Sequence, residues 1–151
     1  MICDSNLIVS WRVPRRGFVA LMGLYESNYL RFVQLVGDLG TLRGRLVSRV
    51  PGDCELVLEM RARAPYTSEL DLTYLLPEPS TATTGPAPLT RLPDLRLRLY
   101  HDAHLLEAHE RGQSRAAERE LQQCWRRNMM LNKWLEYCTE RGHRFAGAAA
   151  G

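Results

Sequence analysis

The chain has 151 residues, of which 45% are hydrophobic and 25% charged, with a formal net charge of +3. That is the balance of one ordinary globular domain, and it argues against wholesale disorder and against a membrane protein. A pI near 8.8 is mildly basic, below what a dedicated nucleic-acid domain carries, so nucleic acid is disfavoured as a partner.

The four cysteines, Cys3, Cys54, Cys124 and Cys138, form no C-x-x-C pair, and their spacing suggests neither a zinc site nor a disulfide framework. They imply a reduced, cytoplasmic setting with no metal and no cofactor. No stretch of about 18 apolar residues is present, so no spanning helix and no membrane partner are expected. Residues 1–17 lack a basic n-region, and they are expected to form a disordered extension outside the domain.

Phe18, Met22, Tyr25, Tyr29, Phe32, Val33 and Val36 recur at helical spacing and end at Gly37, which predicts an N-terminal helix. The period then changes to two. Leu42, Leu46 and Val50 alternate with arginines; Cys54, Leu56, Leu58, Met60 and Ala62 alternate with charges; Leu70, Leu72, Tyr74 and Leu76 do the same. Three strands broken by Pro51-Gly52-Asp53 and Pro65-Tyr66-Thr67 read as an antiparallel meander. Turns centred on Gly52 and Tyr66 place Arg49 opposite Glu55, Arg45 opposite Glu59, Arg63 opposite Glu69 and Arg61 opposite Asp71. Each such pair contributes roughly 0.2–1 kcal/mol.

Residues 77–94, rich in Pro, Thr and Ala, are expected to form a flexible loop. Leu95, Leu97 and Leu99 predict a fourth strand, His101 to His104 a turn, and Leu105 to His109 the return, with Arg98 facing Glu107 and Leu99 facing Leu106. Ser114 to Arg141 holds no proline or glycine and carries an apolar stripe through Leu121, Cys124, Trp125, Leu131, Leu135 and Cys138, a long C-terminal helix closed by Gly142. Residues 144–151 are expected to be a frayed tail. The fold expected over residues 18–143 is α+β: a roughly five-stranded antiparallel sheet, meander plus hairpin, covered on one face by the N-terminal and C-terminal helices.

Most chemically capable groups lie in Arg98-Leu99-Tyr100-His101-Asp102-Ala103-His104. His101 and Asp102 are the catalytic candidates, a base beside an orienting carboxylate, provided that the turn folds them together. A tight turn stabilised by Asp102 is the simpler reading. Asn28 interrupts the first helix's stripe, as Asn128 and Asn132 interrupt the last helix's, and a buried amide must be paired. Asn28, Arg98, Tyr100, His101 and Asn132 are therefore the candidate ligand-binding residues. The alternative is an amide network that fixes helix position. Arg43, Arg45, Arg49, Arg61, Arg63, Arg96 and Arg98 share the sheet's polar face, mostly opposite acids, which favours an ion-paired surface.

Glu26-x-Asn28-Tyr29, Tyr66-Thr67, Arg98-Leu99-Tyr100-His101-Asp102-Ala103, Glu107 and Asn132-x-Trp134-Leu135-x-Tyr137-Cys138 with Gly142 resemble the YqiB-like family of bacterial proteins, a domain of unknown function. The resemblance covers about residues 24–143, implies a cytoplasmic protein, and supplies no catalytic residues. Complete catalytic constellations are absent from the sequence, so a non-enzymatic binding or protein-interaction module is expected, with a protein or small molecule as partner. The alternatives are an enzyme using His101 on a small phosphorylated or nucleotide-like compound, and a weak nucleic-acid binder using the sheet-face arginines.

Overall fold

The computed structural model describes residues 17–77, 89–109 and 117–145. Helix α1 (Phe18–Val36) leads through a single turn of 3-10 helix at Leu39–Thr41, capped by Asp38, into strands β1 (Arg45–Ser48), β2 (Glu55–Arg63), β3 (Thr67–Pro77), β4 (Leu89–Tyr100) and β5 (Leu105–His109). Helix α2 (Ala117–Glu140) follows. The five strands pair antiparallel in sequence order, so the α+β meander and its closing hairpin are as the alternation predicts.

The inner face carries Leu46, Leu56, Leu58, Leu70, Leu72, Leu95, Leu97, Leu99 and Leu106 against Phe32 and Leu35 of α1 and Leu131, Leu135 and Cys138 of α2. Each fully buried leucine contributes about 1.5–3 kcal/mol. A smaller cluster of Leu21, Leu24, Tyr25 and Met129, with Leu105 and Trp125 beside it, extends the core toward the β5 edge. The helices run parallel: Leu121 lies beside Gly17, Asn128 beside Asn28, and Glu136 3.2 Å from Arg31. Among the described residues, no helix is long and apolar enough to cross a membrane.

Four details differ from the sequence reading. The buried stripe of α1 runs through Leu21, Leu24, Tyr25, Asn28, Phe32 and Leu35, while Phe18 is 69% exposed. Asn28 and Ser27 turn inward because their polar groups find partners there, which rotates the helix from its purely apolar stripe. Strand β4 begins at Leu89, so residues 89–94 of the expected loop pair with β3, Leu76 opposite Thr90 and Thr73 opposite Asp94; residues 78–88 lie outside the described residues. Phe145, placed in the frayed tail, is buried and donates its N–H to Leu35 O at 3.0 Å. Finally, the β2–β3 turn closes one residue short of its expected centre, Ala64 N–H donating to Thr67 O, which pairs Arg63 with Ser68 and Ala62 with Glu69, and a bulge between Met60 and Ala62 shifts the register again, to Glu59 opposite Asp71.

The other expected charge pairs form. Arg45 lies opposite Glu59, Arg98 opposite Glu107, and Arg49 Nε meets Glu55 Oε2 at 2.5 Å. Expected helix cap Ser114 and extension 1–16 lie outside the described residues.

Candidate functional site

A β-bulge adds one residue to a strand and so exchanges its two faces beyond that point. Before the bulge, the outer face of β2 carries Glu55, Val57 and Glu59; after it, Ala62 and Ala64 take their place. Arg61, the extra residue, reaches Asp71 Oδ2 at 2.6 Å, and Asp71 also accepts from Arg96 Nε at 3.1 Å. Two methyl groups thus stand where two long arginines would stand in the unbulged register. The result is a groove of about 510 Å³, lined by Ala62, Arg63, Ala64, Thr67, Glu69, Arg98 and Tyr100. That volume lies within the roughly 300–1,000 Å³ of small-molecule sites.

From Arg98 and Tyr100 on the groove's wall, a set of titratable groups continues toward β5. Arg98 Nη2 donates to Glu69 Oε1 at 2.9 Å, and this bond holds the guanidinium charged above its already high ordinary value, against partial burial. Across the next ladder, Arg98 faces Glu107, which accepts from the Tyr100 hydroxyl at 3.0 Å. Burial first, and then the charge and hydrogen bond of Glu107, push the Tyr25 phenol far up, so Tyr25 remains a donor at any physiological pH. Burial likewise raises Tyr100, Arg98 pulls it back, and Glu107 raises it again. His109 Nε2 lies 3.3 Å from Glu107 Oε1 but is not aligned as a hydrogen bond. Burial lowers the imidazole's pKa, Glu107 opposes this and Arg98 adds to it, so His109 stays neutral.

The sequence candidates fall into two groups. Arg98 and Tyr100 line the groove. His101 and Asp102 do not form a dyad: His101 Nε2 sits 2.7 Å from the Ser68 hydroxyl, its backbone N–H donates to Tyr66 O, and Asp102 is exposed in the turn. His104, next in that turn, takes the left-handed conformation (φ 56°) and stacks on Tyr29 with ring centroids 4.9 Å apart.

Asn28, Asn128 and Asn132 are brought together, but between α1, α2 and β5. Asn128 Oδ1 accepts from Ala108 N–H at 2.7 Å while its amide reaches Ala108 O at 3.3 Å, so the side chain pairs with the edge of β5 as a neighbouring strand would. Asn28 donates to Leu106 O and to Asn128 Oδ1; Asn132 donates to Asn28 Oδ1 and to Ser27. These amides satisfy an exposed strand edge and fix the helices upon it.

One polar constellation escaped the sequence reading. Pro51 and Gly52 make a turn, with Gly52 at φ 83° and Asp53 N–H bonded to Val50 O at 3.1 Å. The turn delivers Asp53 to His143, whose Nε2 is 2.9 Å from Asp53 Oδ2 and whose Nδ1 is 2.9 Å from Ser48 Oγ. Tyr74 OH donates to Asp53 at 3.2 Å, Cys138 to Tyr74 at 3.3 Å, and Arg144 N–H to Ser48 Oγ at 3.1 Å. Since Ser48 Oγ accepts from Arg144 N–H, the chain closes when the Ser48 hydroxyl donates to Nδ1 and Nε2–H donates to Asp53. Burial opposes the Asp53 charge, yet the Cys54 N–H, His143 and Tyr74 together hold its carboxyl below the ordinary range. Burial pushes the Cys138 thiol up to about 12 against the Tyr74 hydrogen bond, so it is no nucleophile. The residue types are those of a serine hydrolase, but an acyl group must reach the hydroxyl. Ser48 is 5% and His143 0% exposed, so these groups fasten the C-terminal segment to the sheet.

Among the described residues, no group of three His, Cys, Asp or Glu side chains is placed to hold a metal ion. A family model described as a protein of unknown function, DUF1249, matches residues 31–144. The chain belongs to that family. The DUF1249 match takes in the groove, the whole sheet and the His143 constellation, and it begins inside α1, after Tyr25 and Asn28. No curated protein and no solved structure matched the chain.

Proposed function

We propose that this DUF1249 protein is a non-enzymatic binding module that takes its ligand in the groove above Ala62 and Ala64. The observation that carries this reading is the contrast in how polar groups are engaged. Asn28, Asn128, His101 and His143 are committed to internal partners, whereas the groove sets the partly exposed Glu69–Arg98 ion pair beside a small apolar floor. Small-molecule sites combine such a floor with a few placed polar groups. The YqiB-like name and a bacterial, cytoplasmic setting belong to the same proposal and are supported by the run Arg98 to Ala103.

The test is thermal melting of the full chain with a panel of amino acids, nucleotides and sugar phosphates, beside Ala62→Phe, which fills the groove. A ligand should raise the midpoint of the natural chain, not of Ala62→Phe, and should be recovered chemically unchanged. Conversion of any compound, lost in His101→Ala, would overturn the reading in favour of an enzyme. That second reading is favoured by one contact, the 2.7 Å approach of His101 to Ser68 Oγ. Its weakness is that Ser68 is buried.

A further inference from the structure

The two edges of the sheet are finished differently. At β5, Asn28 donates to Leu106 O and Asn128 pairs with both backbone groups of Ala108, so helix side chains stand where a further strand would. At β1, no backbone group from outside the sheet meets Arg45 or Val47 among the described residues. Met60 N–H donates to Gly44 O at 2.8 Å, and the register carries that alternation along the strand. Gly44, Leu46 and Ser48 therefore exchange hydrogen bonds with β2, while Arg45 and Val47, opposite Glu59 and Val57, form the pairs that do not. The N–H and C=O groups of Arg45 and Val47 point away from the sheet, as a template for another strand. Arg45, Val47 and Arg49 also share the outer face. Arg49 meets Glu55, and Glu59, opposite Arg45 in register, has its carboxylate on Arg61 at 3.2 Å. Arg43, Arg45 and Arg144 are exposed with no carboxylate at ion-pair distance among the described residues, and Arg144 is tied to the strand's end by its N–H on Ser48. The open edge thus carries an excess of positive charge.

We propose that the β1 edge accepts an extended acidic segment of another protein as an added antiparallel strand, of the pattern acid-x-apolar-x-acid. The acids face Arg49 and Arg45, and the apolar side chain lies on Val47, which is half-buried and continues through buried Val57 as a short apolar row. Main-chain bonds to Arg45 and Val47 supply affinity, and the alternate side chains supply specificity. A second copy of this chain is the poorer occupant. Pairing β1 with itself through the same groups sets Arg45 against Arg45 when centred there, Arg45 against Arg49 when centred on Val47, and Arg43 beside Arg49 when centred on Leu46. Like charges directly opposite are destabilising. The proposal stands apart from the groove, which is lined from the β2–β3 turn and β4 rather than from β1.

The test is fluorescence anisotropy of the full chain with a tagged, acetylated peptide Glu-Thr-Val-Thr-Glu at low ionic strength. The peptide should bind saturably. Methylating the amide nitrogen of its valine, which faces β1, should weaken it at least about tenfold, whereas methylating those of its threonines, which face away, should not. Arg45→Gln should weaken the peptide about threefold. Val47→Pro removes an outward N–H that the ladder does not use, so the strand tolerates it, and it should abolish binding in a chain that still melts cooperatively. Ala62→Phe, which fills the groove, should leave binding unchanged. No saturable binding at millimolar peptide would overturn the proposal. Equal affinity for the valine-methylated peptide would reduce the contact to charge alone and also overturn it, as would loss of binding in Ala62→Phe, which would place the peptide in the groove. Self-association of the natural chain in sedimentation, lost in Val47→Pro, would give the edge to a second copy and contradict the acidic partner.

Discussion

The end of the sheet where β1 meets the C-terminal segment and the end where β2 turns into β3 use the same kinds of side chain to opposite effect. At the first, Ser48, Asp53, Tyr74, Cys138 and His143 form one closed chain of hydrogen bonds in which His143 has no exposure. At the second, Glu69, Arg98, Tyr100 and Glu107 form an open, partly exposed chain beside a groove. Residue type alone does not distinguish machinery from scaffolding. The degree to which each group's bonding capacity is used, and whether water reaches it, does.

The largest expected effect is at Asp53. Asp53→Ala leaves His143 and Tyr74 buried without their acceptor, which should cost about 2–4 kcal/mol. At roughly 2–4 °C per kcal/mol for a chain of this length, the melting midpoint should fall by about 4–16 °C. The same carboxylate gives a pH dependence of definite sign. Its folded pKa lies below the ordinary 3.8, so its contribution is present above that value and is lost as pH falls through the lower folded value. Urea midpoints between neutral pH and pH 3 should therefore fall more steeply in the natural chain than in Asp53→Ala.

Next comes Asn128. Asn128→Ala strips both backbone groups of Ala108 of their partner in a dry setting, and should cost about 1–3 kcal/mol by chemical denaturation. An Asn128→Ala variant that melts like the natural chain would move the amide cluster from scaffold to binding site. His101→Ala removes one hydrogen bond to a buried hydroxyl, and a loss of about 1 kcal/mol is expected from its melt. The smallest effect should be at His104, where glycine would relieve the left-handed backbone but forfeit the stack on Tyr29. A net change within about 0.5 kcal/mol is expected from the melt of His104→Gly.

The fold was largely legible because alternation survives translation into structure. Leu95, Leu97 and Leu99 face inward as their spacing requires, and the β4–β5 pairing Leu99 with Leu106 follows from a four-residue loop. What the alternation could not reveal was the bulge at Arg61. Arg61-Ala62-Arg63-Ala64 alternates as well in either register, and only pairing with β3 decides which pair of side chains reaches the outer face. Since that choice makes the groove, its floor was invisible in the sequence, although Arg98 and Tyr100 on its wall were not. Glu69, Tyr25, Glu107 and His109 were missed as members of one cluster because they come from three elements far apart in the chain. His143 was missed for a different reason. It follows Gly142, where the helix ends, and nothing in the adjacent sequence tells that Cys138, Phe145 and the Pro51-Gly52 turn enclose it.

Amide hydrogen exchange across the folded chain at neutral pH tests the division between closed and open ends most directly. The N–H of Arg144, held by Ser48, and that of Phe145, held by Leu35 O, should exchange only through global unfolding, as slowly as Leu97 in the central sheet, while the exposed turn at Pro65-Tyr66 exchanges freely at Tyr66. Exchange at Arg144 and Phe145 as fast as at Tyr66 would contradict it, and would return Ser48, His143 and Asp53 to the list of groups that solvent and ligands can reach.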